Sequence, residues 1–203
     1  MDILIVANGT IRNKSFYRNT IKKADKIIAA DGGADNCIKL GIIPDYVIGD
    51  FDSISKKAKV KFRKILMHDK SQDKTDLEKA ISLAKKLKCT KLAIIGAIGS
   101  RIDHTISNII SLLNTSVPSE IFDEANNIFA VEKKINLAGK KDDTVSVIPL
   151  SNVKGLAYAG LKWKPKSKNV GIGWTGVSNR MTGKKATIKL KSGKLIVIKS
   201  RGK

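Results

Sequence analysis

The chain has 203 residues, 39 Lys and Arg against 18 Asp and Glu, and a formal net charge of +21. That length suits one large domain or two small ones with a proper core, and an apolar content of 42% is too high for a disordered chain. No uncharged apolar run approaches the roughly 18 residues of a membrane-spanning helix, and two cysteines, Cys37 and Cys89, exclude a disulfide-rich scaffold and a four-cysteine zinc site.

The chain opens on an acid, Asp2, and runs straight into an apolar strand over 2–7. It lacks the basic segment and cleavage site of a signal peptide, so the expected compartment is the cytoplasm, with no membrane association. Further strands are predicted at 26–30, 46–49, 65–67 and 92–95. Leu77, Ala80, Ile81, Ala84 and Leu87 recur at helical spacing, as do Ile102, Ile106, Ile109, Ile110 and Leu113. Thr75 with Glu78 three residues on forms a capping-box pattern at the start of the first of these helices. Short apolar strands alternating with helices predict a parallel sheet covered on both faces.

The pattern changes after about Asp123. Strands are predicted at 127–131, 144–148, 186–190 and 195–198, the last two joined as a hairpin through Lys191-Ser192-Gly193-Lys194. No useful helical stretch intervenes. The expected organisation is therefore an α/β domain over 1–123, with a parallel sheet, followed by a small all-β sandwich or barrel over 124–203.

A charge of +21 suggests a nucleic-acid binder, because lysine-rich surfaces release counterions from phosphate backbones. The lysines, however, are spread along the whole chain, aromatic residues are only 5%, and no nucleic-acid motif is present. No specific nucleic-acid partner is expected. The acids are more informative. Eight lie from Asp31 to Asp76, all of them aspartates, four of them in the short glycine-containing segments at 31–35 and 49–53. In a chain this basic, that gathering points to a cation site.

Four motifs follow strand ends. Asp31-Gly32-Gly33 reads as an ordinary tight turn or as a phosphate cradle, since paired glycines let backbone N–H groups approach an anion. In Gly49-Asp50-Phe51-Asp52-Ser53, alternate carboxylates of an extended segment share a face, and two close carboxylates invite a hard cation such as Mg²⁺. Asp76 opens a helix after Gln72-Asp73-Lys74-Thr75, a place that the helix dipole alone also favours for an acid. Gly96 to His104 carries Gly99, Arg101 and Asp103. There Arg101 suits bidentate phosphate binding and Asp103 a cationic or amino-bearing substrate, whereas His104, Thr105 and Asn108 are ambiguous. A glycine cradle, carboxylates and an arginine at the strand ends of one sheet describe metal-assisted phosphoryl transfer, without a P-loop.

With these residues in view, the chain resembles the thiamine pyrophosphokinase family. The matching stretches are ADGGAD at 30–35, PDYVIGDFDSI at 44–54, QDKTD at 72–76, GAIGSRIDHTISNI at 96–109, GLKW at 160–163 and VSN at 177–179. The resemblance implies transfer of a pyrophosphoryl group from ATP to the hydroxyethyl oxygen of thiamine, giving thiamine diphosphate and AMP. It implies an ATP- and Mg²⁺-binding catalytic domain, a thiamine-binding β-sandwich, and a homodimer with thiamine near the subunit interface. Carried over by motif, Asp50, Asp52 and Asp76 hold Mg²⁺, with Asp31 as a further candidate. Gly32, Gly33, Ser53, Gln72, Thr75, Gly99, His104 and Asn108 fall on the nucleotide side, and Arg101 and Asp103 where phosphates and thiamine meet. Ser178 and Asn179, which by composition alone read as a loop, receive the aminopyrimidine, with Trp163 beside them. The alternatives are a related pyrophosphokinase acting on a pterin alcohol and a basic nucleic-acid-binding protein.

Overall fold

The computed structural model describes residues 1–201. The chain divides into two compact units, Met1–Glu124 and Ala125–Lys203.

The first unit begins with β1 (Asp2–Val6), α1 (Lys14–Lys23), β2 (Lys26–Ala30), α2 (Gly33–Leu40) and β3 (Tyr46–Gly49). It continues with α3 (Lys56–Lys61), β4 (Leu66–His68), α4 (Asp76–Lys86), β5 (Lys91–Ile95), α5 (Ile102–Ser111), a short 3₁₀ turn and β6 (Ser119–Phe122). Its strands lie in the order β6-β5-β1-β2-β3-β4 and every pair is parallel. The sheet grows from β1 in one direction through β4, then resumes at β5 on the other side of β1. Such a switch leaves the carboxyl ends of the strands as the natural ligand face. Leu4, Val6, Ala29 and Val47 alternate into a core with Tyr17, Cys37, Ala58 and Phe62. Burying these side chains is the main stabilising term.

Local chemistry sets the helix boundaries. Thr75 accepts a hydrogen bond from the Glu78 N–H while the Glu78 carboxylate accepts one from the Thr75 N–H, which completes the predicted capping box. Helix α2 follows β2 without a side-chain cap. It sits so close to β1 that a methyl group on Gly33 would run into the Val6 carbonyl. On α5, Ile102, Ile106 and Ile110 face outward and are exposed, so its apolar stripe is only partly spent on the core. Among the described residues, no helix is long and apolar enough to cross a membrane.

The second unit contains β7 (Asn126–Val131), β8 (Lys134–Ala138), β9 (Thr144–Pro149), β10 (Ala157–Ala159), β11 (Gly176–Arg180), β12 (Lys185–Lys189) and β13 (Leu195–Ser200). Two antiparallel sheets, β11-β9-β13-β7 and β10-β12-β8, enclose Val145, Val147, Leu156, Ile188 and Val197 as a sandwich core. The hairpin expected at 191–194 does not form: β12 pairs with β8 and β10, whereas β13 pairs with β7 and β9. The turn passes from one sheet to the other. Hydrogen bonds from the Lys191 N–H to the Lys154 carbonyl and from the Lys154 N–H to the Ser192 carbonyl hold it. Both connections present the same turn residues between two strands, and only the packing of the two sheets separates them. Ser178 and Asn179 belong to strand β11, which shifts register against β9 between Gly176 and Asn179.

Candidate active site

The ends of β2 and β3 and the start of α4 bring three carboxylates together. One oxygen each from Asp31, Asp50 and Asp76 lie within 4.8 Å of one another. Asp31 follows β2 directly and has φ of 43°, a conformation that non-glycine residues seldom adopt and that tends to mark functional sites. It is 3% exposed. Its Oδ2 accepts a hydrogen bond from the Ser53 N–H at 3.1 Å, while its Oδ1 is buried with no hydrogen-bond partner. Gly49 allows the approach of β3, because a Cβ there would stand 2.8 Å from the Asp31 Cβ.

Phe51, with φ of 67°, turns the chain between Asp50 and Asp52 and stacks on His68 with ring centroids 5.2 Å apart. Across this turn the Asp52 N–H donates to Asp50 Oδ1 at 3.2 Å. Asp50 joins the three-carboxylate cluster, whereas Asp52 is exposed and accepts a hydrogen bond from the Ser53 hydroxyl at 2.8 Å. An extended backbone would have put both on one face, and the positive φ at Phe51 removes that simple alternation.

The electrostatics of the cluster follow from this crowding. Burial first, and then the charge of Asp76, raise the Asp31 carboxyl above its ordinary value. Burial also raises Asp76, with Asp50 and Asp52 adding to the effect and Lys79 opposing it. Three carboxylates in partial burial, one with an unpartnered oxygen, constitute a hard-oxygen donor set. The residues fit a divalent cation of the Mg²⁺ type.

A cleft of about 710 Å³ opens beside α4, lined by His68, Lys70, Lys74, Lys79, Ser82 and Lys86 among others. Sequence patterning alone does not mark Lys79 as part of the site. The available signal was a lysine placed within the apolar face of α4, where a solvated residue is not expected. Gln72 is exposed and donates to the Lys70 carbonyl, while Thr75 is engaged in the capping box.

At the end of β5, the Gly99 N–H donates to the Thr105 hydroxyl and Asn108 donates to the Ala97 carbonyl. These bonds fix the turn onto α5. Arg101 and Asp103 are exposed and form a two-point ion pair, Nε to Oδ1 at 3.1 Å and Nη2 to Oδ2 at 2.5 Å. The guanidinium holds the Asp103 carboxyl well below the usual carboxylate range. His104 is exposed on the first turn of α5.

In the second unit, Asn179 is buried and Trp163 is 51% exposed. The Asn179 side chain donates to the Trp163 carbonyl at 2.7 Å and accepts from the Trp163 N–H at 3.1 Å. The Lys162 ammonium lies over the indole at 4.8 Å. Ser178, with φ of 60°, sits at the bulge of β11 with its N–H donating to the Ser146 hydroxyl.

An α/β unit that gathers carboxylates at the ends of parallel strands, followed by an antiparallel sandwich, defines a two-domain α/β–β enzyme class. The family model described as thiamin pyrophosphokinase, catalytic domain, matches residues 17–122, and the one described as thiamin pyrophosphokinase, vitamin B1 binding domain, matches 130–195. The chain belongs to the thiamine pyrophosphokinase family. It is 28% identical over 189 residues to a thiamine pyrophosphokinase of Bacillus subtilis, covering 85% of this chain and 86% of that protein. It is 30% identical over 125 residues to thiamin pyrophosphokinase 1 of Caenorhabditis elegans, covering 56% of this chain and 51% of that protein. Among solved structures, a thiamin pyrophosphokinase from Geobacillus thermodenitrificans has a TM-score of 0.85 at 25% identity, covering 100% of this chain and 98% of that one. These likenesses assign the chain a thiamine pyrophosphokinase activity and favour neither the pterin-alcohol reading nor the nucleic-acid reading.

Proposed function

We propose that the chain transfers a pyrophosphoryl group from ATP to the hydroxyethyl oxygen of thiamine, releasing AMP, with the Asp31–Asp50–Asp76 cluster as its Mg²⁺ site. The observation that carries this reading is the meeting of three carboxylate oxygens within 4.8 Å, with Asp31 Oδ1 buried and unpartnered. When bound there, Mg²⁺ would neutralise charge on the phosphate oxygens of the donor.

The chain's own groups supply the rest. The Gly32-Gly33 turn at the start of α2 would be the phosphate cradle on the nucleotide side. The lysine-lined cleft beside α4, together with Gln72, Thr75 and Ser53, offers donors to a polyanionic nucleotide. Arg101, on exchanging part of its pairing with Asp103, stabilises charge spreading over the transferred group. Gly99, His104 and Asn108 shape the turn that presents Arg101. Asp52, exposed beside the cluster, complements the cation's field or its water shell. An aspartate of this group takes the hydroxyl proton as the alcohol attacks the β-phosphorus. On the sandwich, Trp163 presents an aromatic face for thiamine, with Ser178 and Asn179 alongside.

The working unit is a homodimer, a reading supported by the outward stripe of Ile102, Ile106 and Ile110 on α5, which a second copy would cover, and its compartment is the cytoplasm. Residues 1–123 would then serve as the ATP/Mg-binding catalytic domain and 124–203 as the thiamine-binding domain.

The test is AMP formation from ATP and Mg²⁺, with thiamine present or absent and a pterin alcohol run alongside. Thiamine-dependent AMP with thiamine diphosphate as product is the expected result. AMP with the pterin alone would replace the acceptor, and no AMP with either would overturn the reading.

A further inference from the structure

The lysine that Asp76 meets inside the first unit is unusually placed. Its side chain is 2% exposed, against the general rule that a lysine keeps its ammonium in water. It lies one helical turn after Asp76 on α4, and its Nζ makes two hydrogen bonds. One goes to Asp76 Oδ1 at 3.2 Å and the other to the Asp69 backbone carbonyl at 2.9 Å. Asp69 follows β4 directly, and its own N–H donates to the Gly49 carbonyl at 2.9 Å. Gly49 immediately precedes Asp50. A single half-buried chain of contacts therefore runs from the backbone beside Asp50, through the peptide of Asp69, to the Lys79 ammonium and on to the Asp76 carboxylate.

The covalent path between these carboxylates is much looser. From Asp69 the chain runs through Lys70-Ser71-Gln72-Asp73-Lys74 before α4 starts, and those five residues are exposed. The buried apolar face of α4, Leu77, Ala80 and Ile81 among it, packs the helix on the sheet, but that packing leaves the half-buried Asp76 carboxylate free to drift between rotamers. Drift matters because Mg²⁺ accepts a narrow range of ligand positions.

We propose that Lys79 is a positioning residue of the metal site: it ties the Asp76 carboxylate to the end of β4 and so sets its distance from Asp50 and Asp31. The inference rests on the metal reading of the cluster given above. Residues that orient metal ligands without touching the metal typically contribute about 10–100-fold in metal affinity.

Charge and position make opposite predictions here. A lysine acting only through its charge opposes a bound cation, so its removal would tighten metal binding. A lysine acting by position holds a ligand in place, so its removal weakens binding. A lysine serving only the fold changes stability and leaves binding unchanged.

The experiment measures Mn²⁺ binding to the full chain by the electron paramagnetic resonance signal of free Mn²⁺, for wild type, Lys79→Met, Lys79→Gln and Asp50→Asn. Thermal midpoints in EDTA are recorded beside it. Methionine keeps the unbranched apolar stem, one atom shorter, without donors or charge, and glutamine keeps a donor without charge. The expected result is Mn²⁺ binding about tenfold or more weaker in Lys79→Met than in wild type, with a smaller loss in Lys79→Gln. Binding within twofold of wild type, or tighter, in Lys79→Met overturns the proposal. Should Lys79→Met not fold, the same reading on Lys79→Gln decides it: weaker binding supports, equal or tighter binding overturns. Failure of the underlying metal reading looks different, because wild type and Asp50→Asn would then both leave Mn²⁺ free, and the proposal would fall with it.

Discussion

The side-chain amide of Asn179 grips the backbone of Trp163 at both its N–H and its carbonyl, 16 residues back along the chain. Its oxygen also accepts from the Arg180 N–H at 2.8 Å. The amide is thus committed to the protein and buried, while the indole that it anchors stays half-exposed with Lys162 over its face. The resemblance points to Asn179 as a direct contact to substrate. In this structure the Asn179 amide holds the Trp163 segment, whose indole is half-exposed.

Asn179→Ala should therefore destabilise the second unit and disturb Trp163 together. Removing a buried, fully engaged amide takes that partner from three backbone groups, the Trp163 N–H and carbonyl and the Arg180 N–H, a loss of about 1–3 kcal/mol. Urea unfolding followed by tryptophan fluorescence reports the stability, and steady-state kinetics should show a raised KM for thiamine with a smaller change in kcat. Unchanged stability would contradict the anchoring role.

Asp31→Asn separates the cluster's chemistry from its contribution to the fold. With one negative charge lost from the three-carboxylate donor set, kcat/KM should fall by roughly 100-fold or more, on the order of 3 kcal/mol of transition-state stabilisation.

The same variant carries a pH signature in metal-free protein. The folded chain keeps its proton on Asp31 to a higher pH than the unfolded chain does, since burial raises the carboxyl above 3.8. Stability contributed by this group is thus full below 3.8 and falls as pH rises toward the folded value. In EDTA, the stability of Asp31→Asn relative to wild type should increase across that window and then level off. Thermal midpoints at a series of pH values check it, and Mg²⁺ should reverse the sign by stabilising wild type more.

Thr75→Ala tests a residue that the resemblance assigns to the nucleotide side. Its hydroxyl already caps α4 in a reciprocal pair with Glu78. Loss of the cap should lower stability by about 1 kcal/mol, readable as a shifted urea midpoint at unchanged slope. An additional rise in KM for ATP would show that the hydroxyl also serves the nucleotide.

Both cysteines should be silent toward thiol reagents in the folded protein. Cys37 is fully enclosed, and burial pushes its thiol up to about 12; burial raises Cys89 as well. Since the thiolate is the reactive form, a disulfide reagent at pH 8 should titrate neither in the native state and both after unfolding.

Much of the first unit was legible along the chain because its signals are local. The apolar runs of β1, β2, β3 and β5 and the capping box of α4 each lie within a few neighbouring residues, and a parallel sheet follows from their alternation with helices. The aspartates at strand ends were visible for the same reason. What the tertiary structure decided was which of them meet. Phe51 takes a positive φ and Asp52 is exposed beside the cluster, while Asp31, from the end of a different strand, meets Asp50 and Asp76. Spacing within one strand cannot report a contact between three elements.

The same limit explains the sandwich. Strands β12 and β13 flank a glycine turn that reads equally as a hairpin or as a passage between sheets, and the choice rests on which distant strands each one joins. Lys79 completes the lesson. Its place on the inner face of α4 is written in the helical period, but its partners, a peptide carbonyl after β4 and a carboxylate of the cluster, exist only once the helix packs on the sheet. Local sequence set the elements and the supply of charged groups; long-range packing set their distances, and the chemistry depends on the distances.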